Sequence, residues 1–161
     1  MNKKKIIDNL KDIGIASAIA VVVGLPIFNH FRNDPDFYFK SGYCSAYATR
    51  TTEKEHGFKY ERTHAWNLKD YHKTIDTEGK NIDEIAEIAQ PGHLLGIFYP
   101  KSNHNQDGRA YTHIAIYEGV DSEGKIIINH NFKGIKKEKL EDFLCQYNCE
   151  LKELILPERK S

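Results

Sequence analysis

The sequence carries no excess of either charge. Its 23 lysines and arginines face 23 aspartates and glutamates, so no net field draws the whole chain to nucleic acid or to another acidic polymer. No basic patch beyond short lysine clusters replaces that field, and no nucleic-acid partner is expected. Cysteine is scarce as well. The three residues, Cys44, Cys145 and Cys149, form no CxxC pair, which excludes a zinc knuckle and a thioredoxin-like site. Three thiols cannot all pair within one chain. A Cys145–Cys149 bridge, with Cys44 as the odd thiol, stays open for a domain outside the cytoplasm. The eight histidines contain neither HxxxH nor HExxH, and His104 has no acid at helical spacing, so no metal centre and no cofactor are expected. Repeats and low-complexity tracts are missing too. Nine Tyr, eight Phe and one Trp in 161 residues suit a packed interior, and the length allows one domain.

Long apolar runs are absent except at one place. Residues 13–28, IGIASAIAVVVGLPIF, are uncharged and follow Lys3, Lys4, Lys5 and Lys11. A helix of that length rises about 24 Å, short of the roughly 30 Å hydrocarbon core, although flanking side chains snorkel and bilayers thin. The block ends without a small-x-small cleavage site. A retained signal anchor over residues 1–32 is the leading expectation, with a cleaved signal or a buried core helix as alternatives. Cytoplasmic lysines put everything after Arg32 on the far side, as a single-pass membrane protein or, after cleavage, a secreted one. Residues 33–40, NDPDFYFK, read as a tether, and residues 41–161 as the soluble domain.

Within that domain Ser41 is expected to cap a helix that starts near Gly42, holds Cys44 in its first turn and stops at Gly57. Residues 59–68, with His64, Ala65 and Trp66, read as a loop or short strand. Ile82, Ile85, Ala86 and Ile88 recur at helical spacing until Pro91 and Gly92 stop them. Strands are expected over 94–100, 111–119 and 124–132. Residues 136–144 read as a closing helix and 150–156 as a last strand. The sum is an α+β fold in which a thiol-bearing helix packs on a small antiparallel sheet.

Cysteine at a helix N-terminus faces open backbone N–H groups and the positive end of the helix dipole, which favour thiolate. The amides of Cys44 and Ser45 are placed to hold the oxygen of a tetrahedral intermediate. His113 alternates with Ala115 and Tyr117, on the face opposite Ile114 and Ile116, and a polar residue there needs a partner. It is the candidate base for Cys44. His130, on the next strand, is the candidate third member that fixes the imidazole; Asn129 or Asn131 takes that role if the register moves by one. A buried structural cysteine is the bland alternative.

YCSAY around Cys44, QPGHLLGIFYP, THIAIYEG around His113 and INHNF around His130 occur in an order that resembles the papain-like NlpC/P60 and CHAP superfamily of cysteine amidohydrolases. The likeness covers residues 41–156. It implies a papain-like fold, Cys44 as nucleophile, His113 as general base and His130 as orienting residue. HAWNL, residues 64–68, is similar to an alanine–tryptophan element of CHAP-type domains, which implies His64, Trp66 and the neighbouring Tyr43 on the substrate side of the cleft. The chain departs from the pattern at Tyr43, where many relatives carry a polar residue, and at His93, which replaces an aspartate. The resemblance implies a membrane-anchored hydrolase of peptide or amide bonds, with peptidoglycan stem peptides the leading substrate. Alternatives are a protein-directed peptidase or acyltransferase, such as a secreted effector, and a non-catalytic wall-binding module.

Overall fold

The computed structural model describes residues 43–102, 105 and 109–160. The expected anchor over 1–32, the tether over 33–40 and the Ser41 cap lie outside the described residues. Among the described residues no helix is long and apolar enough to cross a membrane.

Helix α1, Cys44–His56, is the first element among the described residues. Its N-cap is Tyr43, in an extended conformation and with no side-chain cap, where Ser41 was expected. The start is decided by docking: beginning at Cys44, the helix buries Ser45, Tyr47, Ala48, Thr49 and Thr52 on one side and leaves its first amides open to the sulfur. It stops as expected at Gly57, left-handed with φ 74°, after Lys54 and His56 in a last turn that suits positive charge. The stretch read as a loop or short strand contains a 3-10 turn, Ala65–Asn67, running into a one-turn helix α2, Leu68–Tyr71.

Strand β1, His72–Asp76, follows. Helix α3, Ile82–Ile88, has a full capping box, with Asn81 accepting from the Glu84 amide and Glu84 accepting from that of Asn81. Strands β2 (Leu94–Phe98), β3 (His113–Val120) and β4 (Ile126–Asn131) sit where the apolar alternation put them. The turn before β2 depends on Gly92, at φ 95°, where an added Cβ would meet the His56 Cβ at 2.6 Å.

The expected closing helix is half strand: β5, Ile135–Lys139, pairs antiparallel with β4, and only then does α4, Leu140–Tyr147, begin. Lysines and a glutamate hid the strand because such residues favour helix in isolation. On a sheet edge they do a second task, discouraging further pairing. Strand β6, Glu150–Arg159, outruns its expected end at Leu156. The six strands among the described residues run in the order β1-β6-β2-β3-β4-β5, each neighbouring pair antiparallel. Cys145 and Cys149 are free thiols, one exposed and one buried, so the bridge left open by spacing is not formed.

This open sheet is buried on two faces. Ile114, Ile116, Leu94 and Ile155 pack with Tyr47 and Ala48 of α1, Leu68 and Tyr111. Ala115, Tyr117, Ile126, Ile128, Leu95 and Ile97 pack with Leu140 and Phe143 of α4 and Ile85 of α3. Alternation of period two along β3 feeds these two cores in turn. Gly96 lets the Tyr111 ring lie on β2, since a Cβ there would stand 2.8 Å from Tyr111 Cδ1.

Candidate active site

Cys44 is the first residue of α1 and its sulfur lies 4.0 Å from the Thr112 carbonyl oxygen. The backbone amides of Ile114, Ser45 and Cys44 hydrogen-bond to the sulfur and favour thiolate, but burial outweighs them and pushes the thiol above its ordinary value. The helix-tip activation expected from position alone is therefore overridden by desolvation. Ser45 is buried on the same tip.

His113, 3% exposed, is the first residue of β3. Its Nε2 lies 3.0 Å from Nδ1 of His130, which stands on β4 opposite Ala115 and is fully buried. The chain of contacts continues: His130 Nε2 lies 2.8 Å from Oε1 of Glu138 on β5. Phe132 and Phe143 flank the His113 ring, with centroids 5.3 and 5.5 Å away. Burial first, and then the nearby charge of protonated His130, hold His113 down at about 3. His130 is also lowered by burial, against the raising influence of Glu138. Both imidazoles are neutral near pH 7.

The sulfur and the imidazole come to the same stretch of backbone from different sides. Helix α1 packs on the Ile114 and Ile116 face, whereas His113 and His130 contact Phe132 and Phe143 on the other. Sγ touches the backbone of the residues on either side of His113. Among the described residues no hydrogen bond joins the sulfur to the ring, whose Nε2 is taken by His130.

Register places His130, and neither neighbouring asparagine, beside His113. Asn129 points to the α1 face, where its Oδ1 accepts from Tyr47 Oη at 2.7 Å and its Nδ2 donates to Glu118 Oε1 at 2.9 Å. Asn131 stands opposite Ile135 on the edge pairing. The three residues expected on the substrate side do meet. His64 and Trp66 stack at 4.8 Å with an interplanar angle of 6°, and the exposed Tyr43 ring lies 6.1 Å from His64. Arg109, not foreseen, places its guanidinium 3.9 Å over Trp66.

Glu138 was missed for a definite reason. Read as helix, residues 136–144 point it anywhere; read as a strand beside β4, Glu138 falls opposite Ile128 and diagonal to His130 on one face. A second cluster, Glu55, His56 and Glu118, gathers three ligand atoms within 4.8 Å of one another. Glu118 is already engaged there by Asn129 and by Lys137 Nζ at 3.2 Å, which lowers its worth as a cation ligand.

No family model matches the chain, and neither a curated protein nor a solved structure matches it.

Proposed function

We propose that the chain is a cysteine amidohydrolase of the papain-like NlpC/P60 and CHAP type, cleaving peptide or amide bonds of peptidoglycan outside a membrane to which residues 1–32 hold it. One observation carries the reading: the sulfur of a helix-initial cysteine lies against the backbone on either side of His113, a histidine itself tied to a second histidine. In this reading His113 turns Nδ1, the nitrogen not bonded to His130, to the sulfur when substrate arrives. Thiol and imidazole are each neutral at rest, so the proton leaves sulfur as the C–S bond forms, not beforehand. The amides of Cys44 and Ser45 hold the oxyanion. Collapse breaks the C–N bond, His113 returns the proton to the departing amine, and water, deprotonated by His113, then cleaves the thioester to a carboxylic acid and free thiol. Tyr43, His64 and Trp66 form the wall that the substrate meets, with Arg109 over the tryptophan.

A second reading, a non-catalytic wall-binding module, draws on the missing sulfur–imidazole bond and the burial that keeps the pair uncharged. One experiment separates them. Full-length protein in detergent is incubated with purified peptidoglycan and the released fragments are weighed by mass spectrometry. Cleavage is expected from wild type and at least about 1000-fold less from Cys44→Ala. Binding without fragments, or fragments released equally by Cys44→Ala, ends the hydrolase reading; a thioester trapped with an acyl acceptor but no hydrolysis points to the transferase alternative.

A further inference from the structure

Two neutral imidazoles in contact can share their hydrogen bond in two ways. Either His113 Nε2–H donates to His130 Nδ1, or His130 Nδ1–H donates to His113 Nε2. The difference decides what His113 offers at its other nitrogen. In the first arrangement Nδ1 carries a lone pair and is a base; in the second Nδ1 carries the proton and is not. The pair alone does not choose between them, because the 3.0 Å separation suits either direction.

We infer that Glu138 makes the choice, as a positioning residue that acts through His130 and keeps Nδ1 of His113 unprotonated. An ionised carboxylate has no proton to give, so at 2.8 Å the donor is His130 Nε2–H. A neutral His130 with its proton on Nε2 has a lone pair on Nδ1 and accepts there. His113 must then donate from Nε2 and leave Nδ1 as the basic nitrogen. The chain of consequence runs from an edge strand, across β4, to the first residue of β3, each link a hydrogen-bond contact between groups held in a sheet ladder.

Surroundings strengthen the choice. His130 is fully buried and Phe143 covers its ring with centroids 4.6 Å apart, so water does not compete for Nε2. Glu138 itself is 23% exposed, so its carboxylate reaches the solvent edge of the sheet while Oε1 meets His130. Lys136, on the same strand, opposes protonation of His130 and helps hold it neutral. With Nε2 engaged by His130, Nδ1 is the ring nitrogen of His113 left for a proton from elsewhere. The inference rests on the hydrolase reading only for its catalytic consequence; the tautomer assignment stands apart from it.

The test is nitrogen NMR of the histidine side chains in full-length, isotope-labelled protein in detergent micelles, followed by kinetics on peptidoglycan. In wild type, His113 is expected to carry its proton on Nε2 and His130 on Nε2. Glu138→Met fills similar volume without an acceptor and is expected to transfer a proton to Nδ1 of His113 in about a tenth of molecules or more. Glu138→Gln keeps an oxygen of the same reach and is expected to hold the wild-type pattern. A wild-type His113 already protonated on Nδ1, or tautomers unchanged in a folded Glu138→Met, overturns the inference. In turnover, Glu138→Met is expected to lower kcat about 10-fold or more at unchanged KM, with recovery in Glu138→Gln. If wild type cleaves nothing, the hydrolase reading fails while the NMR result still decides the role of Glu138.

Discussion

The two faces of the sheet solve the burial of polar groups in opposite ways. Under α1 a polar chain runs from the interior to solvent: Tyr47 to Asn129, Asn129 to Glu118, Glu118 to Lys137, ending on a lysine more than half exposed. Under α4 the imidazoles of His113 and His130 are closed in by Phe132 and Phe143, and the charged group bonded to them is Glu138 at the edge. Satisfaction by a route to water tolerates charge at its end. Satisfaction inside an aromatic shell demands neutrality, and the strong lowering of His113 is the consequence. One sheet therefore holds a wet network and a dry one a single residue apart in sequence, Asn129 beside His130.

The sharpest break of this contrast is to open the dry side. Phe143→Ala removes a fully buried ring and is expected to cost about 3–5 kcal/mol, read from urea midpoints. In the same variant water reaches the imidazoles, so the titration of His113 by NMR should climb from about 3 toward the ordinary histidine range. Ile116→Ala on the α1 face, expected to cost about 2–5 kcal/mol, should leave that titration where it was. Equal movement in the two variants would mean that the faces are not electrically separate.

Acid should expose the dry face next. Folded His113 takes up its proton only near 3, against 6.5 for an unperturbed histidine. Between those values the unfolded chain binds the extra proton, so the contribution to stability is complete above about pH 6.5 and is lost as pH falls toward 3. The loss is expected to be on the order of 5 kcal/mol for His113 by the time pH reaches 3. His72, His93 and His130 are lowered as well and push in the same direction. Stability measured by urea between pH 7.5 and 4 should fall steeply in wild type and less steeply, by about one proton in slope, in His113→Gln. Parallel slopes would place the titrating histidine elsewhere.

The wet face should answer most mildly. Tyr47→Phe deletes the 2.7 Å hydrogen bond to Asn129, for an expected cost of about 1–2 kcal/mol, seen as a lower melting temperature. Asn129 retains Glu118, so the tautomers and titration of His113 should not move. A shift there would show that the two networks communicate through β4.

Local pattern carried much of this architecture. Gly57 and Gly92 mark a helix end and a turn because glycine takes a positive φ without the steric cost of a Cβ. Ile82 to Ile88 at helical spacing, and the alternations around Ile114 and Ile126, identify their elements because an apolar face must be buried wherever it lies. The same alternation told His113 apart from Ile114 and Ile116 and put His130 with Ile126 and Ile128. What stayed out of reach depended on neighbours. Residues 135–139 are charged enough for a helix, and only β4 beside them makes them a strand; with that strand missing, Glu138 had no address.

Chain order and residue type by themselves determined that a thiol would head a helix and that two histidines would share one side of adjacent strands, since periodicity is a property of the backbone. Tertiary structure alone decided the protonation of those groups. Desolvation reverses the helix-tip preference at Cys44 and keeps His113 uncharged, and desolvation is set by what packs around a group: the core of Leu68, Tyr111 and Ile114 beside Cys44, and Phe132 and Phe143, distant in sequence, around His113.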